Sequence, residues 1–249
     1  MNEIAFDIET IPDPKIPPEL EEEIFSTITL PEDLCKEIKV PRNWTKKSES
    51  EIEQYLAEAK IERADRVNEY VLNKKLEIRQ GFALSPTTGR VASVALYSEC
   101  ERGIEMAYTL EEELETLRAF WRAVQDIHEE FRGAVRWISY NGKSFDLPFL
   151  IARSAKYKIK PKVLIDMKKF DLTRHFDLID ALSNFGAAKK TKLDYWLMAF
   201  GLPRKTESGA HVSDMWDAVQ YEDIGNYCLE DCKRTLWLYQ QVKPFFGFS

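Results

Sequence analysis

The sequence predicts an α/β or α+β fold, a mixed sheet with helices on its faces, and three observations lead there. Segments with strand-like patterning recur at 4–9, 90–98, 103–109 and 134–140. Stretches with the spacing of amphipathic helices accompany them at 111–131, 145–157 and 221–241. The strands at 90–98 and 103–109 are joined by the turn-like Glu99-Cys100-Glu101-Arg102, so strands pair early and helices alternate with strands later.

In the opening segment, Ile4-Ala5-Phe6-Asp7-Ile8-Glu9, apolar residues alternate with acids ahead of Pro12 and Pro14, which predicts a short strand. Positions i and i+2 of a strand point the same way, so Asp7 and Glu9 leave one face together. Apolar flanks and the small Ala5 make it a central strand. Residues 13–47 are proline-rich and irregular. Ser48-Glu49-Ser50-Glu51 then fits a capping box, and Ile52, Tyr55, Leu56, Ala59, Val67, Tyr70 and Val71 follow at helical spacing. Residues 13–80 hold too few apolar residues for a core of their own. They are expected to be a mostly helical insertion within a single domain spanning 1–249. The helix at 111–131 carries an apolar stripe of Leu114, Leu117, Phe120, Trp121, Val124 and Ile127. A short strand around Phe176-Asp177-Leu178-Ile179 leads into small helices, and Pro244 closes the last helix.

Hydrophobic residues at 44% and aromatics at 12% suffice for a core. No apolar run approaches the roughly 18 residues of a membrane span. The acidic start MNEIAFDIET does not resemble a secretory signal. Cys35, Cys100, Cys228 and Cys232 are too scattered for a disulfide framework. A cytoplasmic protein with no membrane partner is expected. A net charge of −7 and a pI near 5.3 argue against general nucleic-acid binding. Charge is segregated, however: residues 1–30 hold eight acids and one lysine, while 132–174 hold eleven bases and three acids. Such a basic block is either a solvated face or a phosphate-binding one.

Three short constellations carry chemistry only in company. Asp7-x-Glu9 places two carboxylates on one face of a buried strand, where they repel unless a cation sits between them; a divalent ion with oxygen ligands is the usual solution. Ser139-Tyr140-Asn141-Gly142-Lys143-Ser144-Phe145-Asp146-Leu147-Pro148 lies where a strand hands over to a helix. Asn141-Gly142 supplies a tight turn, and Pro148 suits a first helical turn. Asp146 alone could be a helix N-terminal acid, and Phe145 either core or a ring on which a base stacks. In Tyr227-Cys228-Leu229-Glu230-Asp231, residues four apart share a helix face. His128, His175 and His211 show no catalytic spacing and are expected to be structural or surface residues, with His175 near enough to Asp177 to line a cleft. Cys228 and Cys232 are expected to be small core residues rather than half a zinc site.

In this order the three constellations resemble the exonuclease motifs of the DEDD superfamily, in its tyrosine-bearing branch. The similarity is to the predicted 3′→5′ exonucleases related to the proofreading domain of family B DNA polymerases. It extends to Phe176-Asp177-Leu178-Ile179-Asp180-Ala181-Leu182, Gly201-Leu202-Pro203-Arg204-Lys205, Pro41-Arg42-Asn43-Trp44 and Leu84-Ser85-Pro86-Thr87-Thr88-Gly89-Arg90. The sister branch has a histidine where this chain has Asn226. No polymerase palm follows the motifs, so a stand-alone nuclease domain or a subunit is expected.

The resemblance implies a ribonuclease-H-like core, a five-stranded mixed sheet with one antiparallel strand, flanked by helices. It implies two divalent cations, Mg²⁺ or Mn²⁺. Asp7 would bridge them, Glu9 and Asp231 would complete the site that binds the attacking water, and Asp146 would help hold the second ion. Tyr227 would orient the water, since a phenol with an ordinary pKa near 10 is a poor base. Thr10, Asn141, Phe145 and Lys205 are the expected substrate contacts. Lys156, Lys158, Lys160 and Lys162, from the basic block, are expected to guide the strand's backbone. The expected activity is hydrolysis of single-stranded DNA from its 3′ end to 5′-mononucleotides, with DNA favoured over RNA and a polymerase or repair partner left open. Its rivals are an exoribonuclease of the same fold, a catalytically silent nucleic-acid-binding module, and a docking protein working through 13–80.

Overall fold

In the computed structural model, which describes residues 1–100, 103–203 and 212–248, five strands form one sheet. They are β1 (Asn2–Pro12), β2 (Gly89–Ser98), β3 (Ile104–Tyr108), β4 (Val135–Ser139) and β5 (His175–Asp177), in the order β3-β2-β1-β4-β5. β2 runs antiparallel to both β1 and β3, whereas β4 pairs parallel with β1 and β5 parallel with β4. The mixed sheet with a single antiparallel strand is the one expected. β1 is longer than its alternation suggested, because Pro12 stands at the strand's end, where a missing N–H costs little.

Helices cover both faces. On one, Ile4, Phe6 and Ile8 of β1 pack with Leu117, Phe120, Val124 and Ile127 of α4 (Glu113–Glu130). Leu147, Phe149 and Leu150 of α5 (Asp146–Lys156) complete that layer. On the other face, Ala5, Ile138 and Phe176 meet Cys228, Cys232, Leu236 and Tyr239 of α9 (Tyr221–Val242). Each fully buried Phe or Leu contributes about 1.5–3 kcal/mol, so β1 is fixed in the middle of the molecule's main core. The short helices α6 (Leu178–Leu182), α7 (Leu193–Ala199) and α8 (Val212–Asp217) lie between β5 and α9 in the chain.

Three of the eleven bases of the 132–174 block are interior. Arg136 bonds the Tyr239 hydroxyl and lies 3.6 Å from Glu3. Lys143 is buried in the turn after β4. Arg153 donates to both oxygens of Glu113, at 2.8 and 2.5 Å, and Glu113 also accepts the Val91 N–H. Both partners of this last pair are almost fully buried. Removing one leaves a buried charge uncompensated, so Arg153→Ala is expected to lower stability by about 3–5 kcal/mol. Lys233→Ala, at the exposed pair with Glu105, should cost far less. Urea midpoints of the two variants check this, and equal losses would contradict it.

Residues Asp13–Phe82 form a second compact unit, and Met1–Pro12 with Ala83–Ser249 the first. The second holds α1 (Pro18–Ser26), α2 (Glu32–Cys35) and the 33-residue α3 (Glu49–Gly81). The expected capping box starts α3: Ser48 accepts from the Glu51 N–H and Glu51 accepts from the Ser48 N–H. α3 buries none of its residues fully, and polar contacts supplement its packing: Arg63 to the Leu34 carbonyl, Arg66 to Asp33 and Arg79 to Glu21.

Candidate active site

Asp7 and Glu9 lie on the α9 side of β1, two residues beyond Ala5. Asp231, in the third turn of α9, meets them there. Ligand oxygens of Asp7, Glu9 and Asp231 all lie within 4.8 Å of one another, the one such grouping of three or more His, Cys, Asp or Glu among the described residues. Two ionised carboxylates at that distance repel by about 3 kcal/mol at an effective dielectric near 20, less where solvent reaches them. An all-oxygen donor set converging in this way fits a hard divalent cation.

Small residues on one face of α9 allow the approach. Cys228 and Cys232 are fully buried. The Cys228 thiol, pushed up by burial and then by the charge of Asp7, donates to the Asp7 carbonyl at 3.4 Å. A Cβ on Gly225 would meet the Thr109 Oγ1 at 3.1 Å. The two cysteines are core residues, as expected.

Asp146 arrives from the other layer. Its register with β4 takes β1 only as far as Ala5, and beyond that the turn after β4 stands at this edge of β1. The Ile8 N–H donates to Asp146 Oδ1 at 3.2 Å. Asp146 is thus more than a helix-start acid, although it is indeed the first residue of α5. Burial, and then the charge of Asp7, hold its carboxyl well above the ordinary carboxylate range.

The turn that delivers it is tightly specified. Asn141 adopts φ 74°, a left-handed conformation that asparagine tolerates better than most residues. A Cβ on Gly142 would meet the Ser139 Oγ at 2.5 Å and the Phe6 ring at 3.1 Å. The buried Asp177 carboxylate accepts the N–H groups of Asn141 and Lys143, at 2.9 and 2.8 Å, and that of Ile179 at 3.1 Å. Lys143 Nζ donates to the carbonyls of Lys168 and Asp171, at 2.9 and 2.6 Å. Sequence patterning does not mark Asp177 and Lys143 as residues that shape the site. Their work is done through backbone groups distant in sequence, so local patterning carries no signal of it beyond an acid at the end of a short apolar strand.

Tyr227 lies one turn before Asp231 on α9, half-buried and packed against Ile11, Ala92, Val212 and Ile224. Burial, then the charges of Glu9 and Asp7, push its hydroxyl above the ordinary tyrosine value. The phenol therefore keeps its proton at neutral pH.

The remaining candidates are spread out. Thr10 follows a register shift between Glu9 and Thr10 in the β1–β2 pairing. Phe145 is half-buried, 5.6 Å from the Phe149 ring and packed against the core. α5 carries Lys156 away from Asp146, by about 15 Å at 1.5 Å per residue, and Lys158, Lys160 and Lys162 follow it as exposed residues. Lys205 and His211 lie outside the described residues. His175 is fully buried and does not line a cleft. Its Nδ1 donates to the Asp166 carbonyl and its Nε2 accepts from Ser139, so the ring is neutral, and burial lowers its pKa to about 3. No helix among the described residues is long and apolar enough to cross a membrane.

Residues 82–247 match the model of a family described as predicted 3′-5′ exonuclease related to the exonuclease domain of PolB. The chain is similar to a DNA polymerase of Pyrococcus glycovorans, at 30% identity over 124 residues, 44% of this chain and 16% of that one. It also resembles in fold the family B DNA polymerase of the hyperthermophilic archaeon Pyrobaculum calidifontis. That likeness has a TM-score of 0.53 and 21% identity, and it covers 67% of this chain and 23% of the polymerase. The chain thus corresponds to less than a quarter of either polymerase.

Proposed function

The chain belongs to the family of predicted 3′-5′ exonucleases related to the exonuclease domain of PolB, and on that footing we propose that it hydrolyses single-stranded DNA from the 3′ end at the site built by Asp7, Glu9, Asp146, Tyr227 and Asp231. The observation that carries this reading is the convergence of Asp7, Glu9 and Asp231, with Asp146 held against the same strand. The four carboxylates would hold two divalent cations, Mg²⁺ or Mn²⁺. Such ions supply a water of lowered pKa and neutralise charge on a phosphate.

The protein's own groups then divide the work. Tyr227 donates its hydroxyl hydrogen toward the water and fixes its direction. Asp146, at the start of α5 and bonded to the Ile8 N–H, sets the distance between the two halves of the carboxylate cluster. Thr10, Asn141 and Phe145 flank the acids and are assigned to the terminal nucleotide. Lys156, Lys158, Lys160 and Lys162 would meet only a strand extending about 15 Å from Asp146. Water attacks phosphorus and the 3′ oxygen of the preceding nucleotide leaves, so the product is a 5′-mononucleotide.

Single strands of DNA and RNA, labelled at either end, test this directly. Loss of 3′ label as mononucleotide is expected, with faster turnover on DNA, and an excess of EDTA should abolish it. Cutting from the 5′ end, or full activity in chelator, would overturn the proposal; faster turnover of RNA would move it to an exoribonuclease. Tyr227→Phe should lower turnover by about tenfold to a hundredfold, at an unchanged metal concentration for half-maximal activity. Wild-type single-turnover rates in this variant would remove Tyr227 from the chemical step.

A further inference from the structure

Phe170 is 74% exposed, second only to Phe245 among the large apolar side chains of the described residues. Its ring lies 5.1 Å from that of Phe185 at an interplanar angle of 66°. Phe185 is held in the left-handed region at φ 55°, directly after Asn184 at φ 48°, a backbone conformation that strains a bulky L-residue. The turn is pinned by the Phe185 N–H on the Asp180 carbonyl at 2.7 Å and by the Gly186 and Ala188 N–H groups on Ser183. Phe185 itself is half-buried, and the strained turn holds its ring as the support against which the exposed Phe170 ring rests.

Two tethers join this aromatic pair to the turn that delivers Asp146. Lys143 Nζ grips the carbonyls of Lys168 and Asp171 on either side of Phe170. Asp177, which holds the N–H groups of Asn141 and Lys143, immediately precedes α6, and Phe185 sits in the turn that ends α6. The pair therefore belongs to the same end of the sheet as the carboxylates. Lys169 Nζ lies over the Phe170 ring, 5.4 Å from its centre, and the Lys190 side chain passes Gly186 in the Phe185 turn, its Cε 3.9 Å from where a Cβ on that glycine would stand. An exposed ring with lysines close by matches bases joined by phosphates.

We propose that Phe170 and Phe185 form a base-stacking platform for single-stranded nucleic acid upstream of the 3′ end. It deepens the nuclease assignment and rests on it for the identity of the strand. The test is binding in chelator, where nothing is cut, of a labelled thymidine strand of about a dozen nucleotides and of an abasic strand of equal length. Phe170→Ala should raise Kd for the base-bearing strand about tenfold, the loss of one stacked base, and leave the abasic strand nearly unchanged. Phe170→Trp, which keeps a ring, should bind at least as well as wild type, and separates stacking from misfolding. In turnover, Phe170→Ala should raise KM and leave kcat at saturating strand unaltered. Equal binding of the two strands by wild type, or wild-type affinity in Phe170→Ala, overturns the platform. The nuclease assignment fails separately: a protein that discriminates the strands but cuts neither in Mg²⁺ or Mn²⁺ keeps the platform and loses the activity.

Discussion

Asp7→Ala is expected to cut turnover by about a thousandfold or more, since losing even one preorganised electrostatic contact in an active site costs roughly 10²–10³. Asp7 is the acid that touches every other part of the site. It shares the oxygen cluster with Glu9 and Asp231, and its charge pushes up both the Asp146 carboxyl and the Tyr227 hydroxyl. The fold should survive. The Cys228 thiol of α9 reaches the Asp7 backbone carbonyl at 3.4 Å and its Oδ2 at 3.8 Å, and alanine keeps the shorter, backbone contact. The apolar neighbours Phe6 and Ile8 face the other layer. Thermal unfolding of metal-free protein should give an unchanged or raised Tm, because carboxylate repulsion is relieved. An Asp7→Ala protein that unfolds, or one that still degrades DNA, would show that the acid serves structure and not catalysis.

The parts of this molecule legible in the sequence are those set by short-range patterning. Asp7 and Glu9 follow from alternation in β1, the turn at Asn141-Gly142 from its residue types, and Tyr227 with Asp231 from helical spacing. The capping box at Ser48 follows from four residues. What stayed hidden depends on partners far apart in the chain. Arg153, the base of the buried pair with Glu113, lies inside a basic block whose charges suggest phosphate contacts, and nothing local marks a base as interior. Lys143 and Arg136 are alike in this. Lys156 follows Asp146 closely in sequence, yet a helix converts ten residues into about 15 Å of distance, so nearness along the chain did not become nearness in space. His175 could be placed beside the site by sequence, but its burial and its two hydrogen bonds required β5 and residue 166 to be seen together. Phe170 and Phe185 carry no pattern at all, being brought together by two loops.

Asp146→Asn should separate catalysis from stability most sharply. The side chain keeps its shape, and its oxygen still accepts the Ile8 N–H, so α5 should start where it does in the wild type. The charge is what changes. Burial, and then the charge of Asp7, raise the native pKa of Asp146 above its ordinary value of 3.8. A carboxyl with a raised native pKa binds its proton more tightly in the folded protein than in the unfolded chain. Stability therefore falls as pH rises from the ordinary carboxylate range to the raised value, and above that value the whole penalty is present. Metal-free wild type should accordingly lose Tm over this range, and Asp146→Asn should lose less. The variant should be the more stable protein at pH 8, with the gap closing as pH falls toward 4. Divalent cation should restore more stability to wild type than to the variant, because binding to the folded state alone stabilises it. Turnover should drop by about 10²–10³, so the variant would be firmer and nearly inactive. If Asp146→Asn is less stable than wild type at pH 8 without metal, the carboxylate is favourably held there, and its assignment to a cation site loses its basis.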